Sequence, residues 1–555
     1  MPIGKVVLVY PAMRRYSGYL SAQRVPGQVC THAGLSILKR VLERDGYEAL
    51  AYDEQITPFG ADLVDGADLV GVSIQTCNAV QGYRIADSVR RLGIPVVLGG
   101  AHATLNPDEA LEHADYVVRG EGEVTLSELC RALRSPNRDA ELRQIQGLSF
   151  CQHGVATSNP SRPLMTTAEL DRIPWPEVGS IEGASSLRYP LNRSIYFTMA
   201  TRGCDQACNY CSITKVFGQT LRHRSIGSMI EELGARWDPE RQFLFFMDDS
   251  LATGRTFLKE LLSALLENRL VPKLGWHSQM RIDVADDPEL VELMGRTNCT
   301  FVSCGFESPR DRALRSLSKG QCVADIERGV ARLRERGILV NGFFVTGTDQ
   351  DRPEDVAETV RFAHRIGCTL AGFMPLTPYP GTPMWKKLER EGRIFTRDWE
   401  LYDMQHVVIR PANMSPLELY LRTLACYPAF YAGQSPWKQL RRLLPHWPAP
   451  VLGALALAWP VARQWSWSRE VVANLDYIHA LRRLDQRPQR AFPRLSEQGL
   501  WAKDLWSGRA IKRRIGSRPD AIRASGAFGF RARRPAACPA RSRSDVLPEA
   551  RSSRS

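Results

Sequence analysis

Thirteen cysteines are too few to staple a chain of 555 residues with disulfides. The opening stretch MPIGKVVLVY lacks the basic segment, apolar core and small-residue cleavage site of a secretory signal. Reduced thiols in a cytoplasmic protein are therefore expected. No G-x-y repeat and no sustained heptad occurs, which excludes collagen-like and coiled-coil architectures. APVLGALALAWPVA at 449–462 is shorter than the roughly 20 apolar residues a spanning helix needs, and carries proline near both ends. It reads as a buried helix, with a membrane-surface element beside Arg463 and Trp465 as the alternative. G-x-G-x-x-G does not follow the first predicted strand, which argues against a nicotinamide dinucleotide. Net positive charge is scarce outside one end. Residues 501–555 hold 14 Lys and Arg against 4 Asp and Glu, so this stretch carries +10 of the formal +13.

Length and apolar content are present in quantity. At roughly 100–200 residues per domain the chain forms two to four domains, and 44% hydrophobic residues exclude disorder over most of it. Residues 5–135 alternate strands and helices. KVVLVY (5–10), EALAYD (48–53), DLVGVS (68–73), PVVLGG (95–100) and YVVRG (116–120) read as strands, with helices at 33–46, 79–92 and 124–134. This predicts an α/β fold with a doubly wound parallel sheet, whose ligands bind beyond the strands' carboxyl ends. Small residues gather at those ends: Ser73 and Thr76, Gly99, Gly100, His102 and Thr104, then Gly120 and Gly122. They are either tight strand-to-helix turns or a cradle where backbone approaches a ligand.

Residues 141–190 break the periodicity with Pro-Trp-Pro at 174–176 and one small hairpin from 147, and read as a connector. From 191 to 400, strands at 195–200, 242–247, 273–278, 301–307, 339–347 and 369–376 alternate with helices, the pattern of a parallel barrel. Polar residues end these strands: Asp248, Asp249 and Ser250, His277, Ser278 and Arg281, Glu307 and Ser308, Thr346 and Thr348, Tyr379 and Thr382. Residues 401–490 read as helical and aromatic. Residues 491–555 form a basic tail without periodicity, expected to be disordered.

YFTMATRGCDQACNYCSI places Cys204, Cys208 and Cys211 in a loop directly after a strand. Three thiolates within eight residues can converge on one centre. Closed tetrahedral zinc needs a fourth ligand, such as His223 or a remote cysteine. A 4Fe–4S cluster with one open iron needs none. No second C-x2-C pair exists to complete a zinc knuckle.

C-x3-C-x2-C with Tyr210 before the last cysteine resembles the radical S-adenosylmethionine (SAM) signature. VSIQTCN, VVLGGAHATLNP and YVVRGEGE resemble the cobalamin-binding domain that precedes such barrels, while FMDDS, GFES and LTPYPGT match positions in cobalamin-dependent radical SAM enzymes. That group includes the anaerobic magnesium-protoporphyrin ester cyclase and carbon methyltransferases, and the resemblance spans residues 5–400. It implies a cobalamin-binding domain over 1–140 and a partial (β/α) barrel over 191–400. The implied cofactors are a 4Fe–4S cluster on the three cysteines, SAM and cobalamin.

By the same resemblance, Tyr210, Asp248, Asp249, Arg281 and Glu307 bind SAM: the Asp pair accepting from its ammonium, Arg281 pairing with its carboxylate, and Glu307 accepting from ribose. Ser73, Gln75, Thr76, Gly99, Gly100, His102, Gly120 and Gly122 contact cobalamin. YDEQIT stands where many corrinoid proteins carry D-x-H-x-x-G, so no protein histidine is expected on cobalt, and His102 is expected as a loop residue beside the ligand. No catalytic residue is assigned. The implied reaction methylates an unactivated carbon of a small, apolar substrate through a 5′-deoxyadenosyl radical and methylcobalamin. An oxidative cyclase or hydroxylase is the alternative, and a tRNA methylthiotransferase a further one. The latter is weakened because only Cys30, Cys77 and Cys130 are available in the first domain for another cluster and the basic end lacks structure, so nucleic acid is disfavoured as a partner. An electron donor such as flavodoxin or ferredoxin is implied, and peripheral membrane contact stays open.

Overall fold

The computed structural model describes residues 4–13, 32–152, 154–184, 194–432, 474–489 and 491–495. The apolar stretch 449–462, the tail from 507 and Cys30 lie outside the described residues.

The first sheet contains β1 (Lys5–Tyr10), β2 (Glu48–Asp53), β3 (Leu69–Ser73), β4 (Val96–Gly99), β5 (Tyr116–Val118), β6 (Leu148–Gln152) and β7 (Val155–Ser158). Its spatial order is β2-β1-β3-β4-β5-β6-β7, with the first five strands parallel. Successive residues of β1 enter different cores: Val7 and Val9 pack on one face, Val6 and Leu8 on the other. Burial on both faces is why the strand reads as an unbroken apolar run. The order reverses between β1 and β3, the point at which doubly wound sheets open a ligand crevice. One expectation is corrected. The hairpin β6–β7, placed in the connector by its sequence, pairs antiparallel with β5 and belongs to this sheet. The connector begins only after it. There Lys39 donates to Ser180 O at 2.7 Å and Arg40 pairs with Glu177, strapping the connector along helix Ala33–Arg44.

After β8 (Ser194–Thr198) comes a short antiparallel ribbon of β9 (Thr201–Arg202) and β10 (Arg222–His223). Then follow β11 (Gln242–Phe246), β12 (Trp276–Gln279), β13 (Cys299–Glu307), β14 (Leu339–Thr346) and β15 (Leu370–Pro375). β8 and β11 to β15 form one parallel sheet whose spatial order equals chain order. Helices Ile226–Arg236, Arg255–Glu267, Pro288–Arg296, Val323–Glu335 and Pro353–Ile366 make the crossovers. This is a six-stranded partial (β/α) barrel, left open between β8 and β15.

An open edge exposes unpaired backbone groups. Helix Pro416–Ala432 covers the β15 edge with two tyrosines. Tyr427 Oη donates to Phe373 O at 2.7 Å and accepts from Phe373 N–H at 3.2 Å. Tyr431 Oη treats Ala371 the same way, at 3.0 and 3.2 Å. Tyr427→Phe or Tyr431→Phe leaves a buried N–H and C=O without these partners. Each change is expected to cost about 1–3 kcal/mol, read as a lower thermal midpoint.

The C-terminal region packs back on the first domain. Leu401, Tyr402 and Leu481 share one apolar core with Val72 and Ala86. Trp399 Nε1 donates to Glu109 at 2.6 Å, and Arg84 pairs with Glu400 at 3.3 Å. Among the described residues no helix is long and apolar enough to cross a membrane.

Candidate active site

The cysteine loop is held at its root by two carboxylates that follow β11. Asp248 accepts from the N–H of Ala200 at 3.3 Å and from both the N–H and the hydroxyl of Thr201. Asp249 faces the Gly203 N–H. Cys204, Cys208 and Cys211 are each part-buried along the loop. Asn209 pins its far side, donating to Leu317 O at 3.2 Å and Ser316 O at 2.8 Å while accepting from Met384 N–H at 2.9 Å. Burial raises the Cys204 thiol and pushes Cys211 up to about 11. Thiols so placed stay protonated at neutral pH unless a metal takes up the thiolate.

Among the described residues no three His, Cys, Asp or Glu gather as they would around a single metal ion. His223, the ligand a zinc site would have used, stacks on Phe257 with centroids 4.4 Å apart, and its Nδ1 lies 3.0 Å from Arg224 O. Three loop thiols without a fourth protein donor suit an iron–sulfur cluster with one open iron better than a closed zinc site.

Asp248 is corrected from a ligand-facing group to a buried structural one: its acceptors are spent on the ribbon. Burial pushes its pKa up to about 7, against the opposing hydrogen bonds from Thr201 and Ala200. A carboxyl raised in the folded state binds protons there that the unfolded chain has released. Stability contributed by Asp248 is therefore expected to fall as pH rises from about 4 to about 7, and to level off above. Thermal melts of the apo protein against Asp248→Asn should show a shallower slope in the variant, where the raised Asp249 still contributes. Asp249 is solvent-accessible yet surrounded by protein, as in a cleft, and burial moves it to about 6.

Glu307 ends β13 beside a register shift, with a left-handed φ of 63° unusual outside glycine. Its Oε1 accepts from Tyr210 Oη at 2.9 Å and from Lys319 Nζ at 2.7 Å. Lys319 was not singled out by sequence. Burial alone would lower its pKa, but the charge and hydrogen bond of Glu307 hold the ammonium above its ordinary value. A Cβ on Gly305 would lie 2.3 Å from Glu307 Oε1 and 2.7 Å from Lys319 Nζ, so glycine makes the room for this pair. Arg281 donates to the carbonyls of Lys319 and Gly320, each at 2.9 Å, and to Asp283 at 3.3 Å. It braces the turn that presents Lys319.

At the carboxyl edge of the first sheet, Ser73, Gln75, Gly99, Gly100, Gly120 and Gly122 are part-buried. Gln75 N–H donates to Asn78 at 2.7 Å, and Asn78 in turn reaches Pro11 O at 2.9 Å. Gly100 has φ 91°, and a Cβ there would meet Ile74 O at 2.6 Å. A side chain on Gly120 would project into open space, as a cradle for a ligand requires. Thr76 and His102 are corrections. His102 is wholly buried on helix Ala101–Leu105, its Nδ1 3.2 Å from Thr76 Oγ1 and its ring edge-on to Trp399 at 5.0 Å. Burial lowers its pKa to about 3. Both side chains are buried.

The two sites confront each other. Helix Ala101–Leu105 packs on Ile213–Val216, which directly follows the cysteine loop. Leu105 also approaches Gly381 of the PYPGT segment, 3.2 Å from where its Cβ would stand. Residues 23–130 match the B12 binding domain family, and residues 198–363 match the Radical SAM superfamily. The chain thus joins a B12-binding domain to a radical SAM domain. Its curated relatives include bacteriochlorophyllide d C-12(1)-methyltransferase of Chlorobaculum tepidum, 28% identical over 68% of this chain and 77% of that one. The anaerobic magnesium-protoporphyrin IX monomethyl ester cyclase of Cereibacter sphaeroides is 28% identical over 62% of this chain and 56% of that protein. Among solved structures, the radical SAM methyltransferase TsrM from Kitasatospora setae, with cobalamin and a 4Fe–4S cluster bound, superposes with a TM-score of 0.57. That match has 22% identity and covers 70% of this chain and 75% of that one.

Among the described residues the upstream cysteines do not assemble a second metal site. Cys130 is buried in the core on one face of the first sheet, while Cys77 lies in the turn after β3 against the Met13 sulfur at 3.1 Å.

Proposed function

We propose that this radical SAM enzyme methylates an unactivated carbon of a small-molecule substrate, with cobalamin held at the carboxyl edge of the first sheet. The observation that carries the reading is the confrontation of that glycine-lined edge with the cysteine loop across helices Ala101–Leu105 and Ile213–Val216. Cys204, Cys208 and Cys211 would hold the cluster, and Ser73, Gln75, Gly99, Gly100, Gly120 and Gly122 would approach the corrin. When bound, the cluster supplies an electron to SAM and the corrin a transferable methyl group.

The chain's own contribution is placement and exclusion of water. Glu307 keeps Oε2 without a partner, available to a ribose hydroxyl, while Lys319 neutralises its other oxygen. Asp249 offers a carboxylate in the cleft for the SAM ammonium. Arg281 acts through the 319–320 turn as a positioning residue. His102, buried against Thr76 and Trp399, would offer no imidazole to cobalt.

Anaerobic reconstitution with iron, sulfide and corrinoid, followed by turnover with deuterated SAM methyl, tests the reading. Product gaining a labelled methyl supports it. Product gaining oxygen from labelled water, with no methyl, replaces it by the cyclase or hydroxylase reaction. Nitrogen splitting on the Co(II) signal, lost in His102→Phe, would overturn the ligation.

A further inference from the structure

Between the domains lies a charge cluster that none of these roles uses. Glu121 and Glu123 follow β5, Arg202 closes β9, and Arg222 stands opposite it on β10. Arg202 donates through Nη1 to Glu121 at 3.1 Å and through Nη2 to Glu123. Arg222 Nη1 reaches both oxygens of Glu121, at 2.8 and 2.9 Å. Its bonds to the carbonyls of Met165 and Phe217, both at 3.2 Å, tie in the connector and the end of helix Ile213–Val216. Met165 N–H closes the circuit on Glu121 at 2.9 Å. The four side chains are 3–11% exposed, and their charges cancel.

Burying four ions costs several kcal/mol each before pairing, so apolar packing would join two domains as firmly. What a hydrogen-bonded ionic network adds is direction and register. Here the register concerns two cofactor sites. Glu121 and Glu123 interleave with Gly120 and Gly122 of the corrin-facing turn, and Arg202 stands two residues before Cys204. The same ribbon is fastened to the barrel by Asp248 through Thr201.

We propose that Glu121, Glu123, Arg202 and Arg222 form a positioning clamp that fixes the cysteine loop relative to the carboxyl edge of the first sheet. The clamp thereby sets the separation of cluster and cobalt, a role that rests on the reading above that both sites are filled. Its loss lets the domains shift while each keeps its own cofactor.

The test is magnetic. In the holoprotein carrying Co(II) cobalamin and the dithionite-reduced cluster, the cobalt signal should relax rapidly through one well-defined interaction. Arg202→Lys and Glu123→Gln should keep iron and corrinoid content but slow that relaxation several-fold and split it into components. Should either single variant lose its fold, the paired Arg202→Met/Glu123→Leu variant removes opposite charges together, leaves Glu121 with Arg222, and should show the same slowing. An unchanged interaction in a folded, fully loaded variant would overturn the clamp. A parent protein that takes up no corrinoid or no cluster would instead overturn the reading beneath it.

Discussion

Replacing any one of Cys204, Cys208 and Cys211 by Ala should bring SAM cleavage down to background and remove most of the bound iron. The expected effect is large because the loop offers three thiols and the described residues supply no fourth donor to compensate. His223 cannot step in while it stacks on Phe257. The first domain should stay folded, since its sheet is paired without the loop and the three cysteines are not part of its cores, although Tyr210 packs against one of them. Iron, sulfide and 5′-deoxyadenosine are measured after anaerobic reconstitution, with corrinoid uptake as the internal control. Stoichiometric zinc with no iron in the parent protein would refute the assignment.

Lys319→Met should be the most damaging single change outside the cysteines. It leaves Glu307 buried, about 5% exposed, with only the Tyr210 hydroxyl on its shared oxygen. Removing one member of a buried pair costs about 3–5 kcal/mol, mostly as the penalty of the stranded charge. Lys319→Arg should recover part of this, because a cation returns even if its geometry differs. Gly305→Ala separates placement from charge. Both ions remain, but the new methyl occupies the space where Glu307 Oε1 and Lys319 Nζ meet. SAM affinity should fall at least about tenfold, or about 1.4 kcal/mol, with a smaller loss of stability than in Lys319→Met. Titration calorimetry and thermal melts decide between the two effects. Unchanged SAM affinity in Gly305→Ala would remove Glu307 from the proposed SAM pocket.

Sequence alone determined most strands of both sheets, because a strand covered on two faces is largely apolar. The run KVVLVY of Lys5–Tyr10 shows this directly. It also determined the cysteine loop, whose three donors are fixed by covalent spacing within eight residues. The glycines at the ends of β4 and β5 were legible for a similar local reason: a positive φ or a close backbone approach admits little else.

Tertiary structure decided the partners. The β6–β7 hairpin shows strand alternation in its sequence, but that pattern does not say which edge it joins. Asp248 reads as a ligand-facing carboxylate until Thr201, 47 residues earlier, takes its oxygens. His102 reads as a loop histidine until Trp399, almost 300 residues later, covers it. Lys319 carries no local signature, and Glu121 and Arg202 lie in two separate motif segments whose local pattern does not say that they meet. An isolated Lys or Glu is ordinarily a solvated surface residue, and only its burial against a counter-charge from another part of the chain gives it a role. Local pattern records which face a residue hides; long-range packing chooses what it meets there.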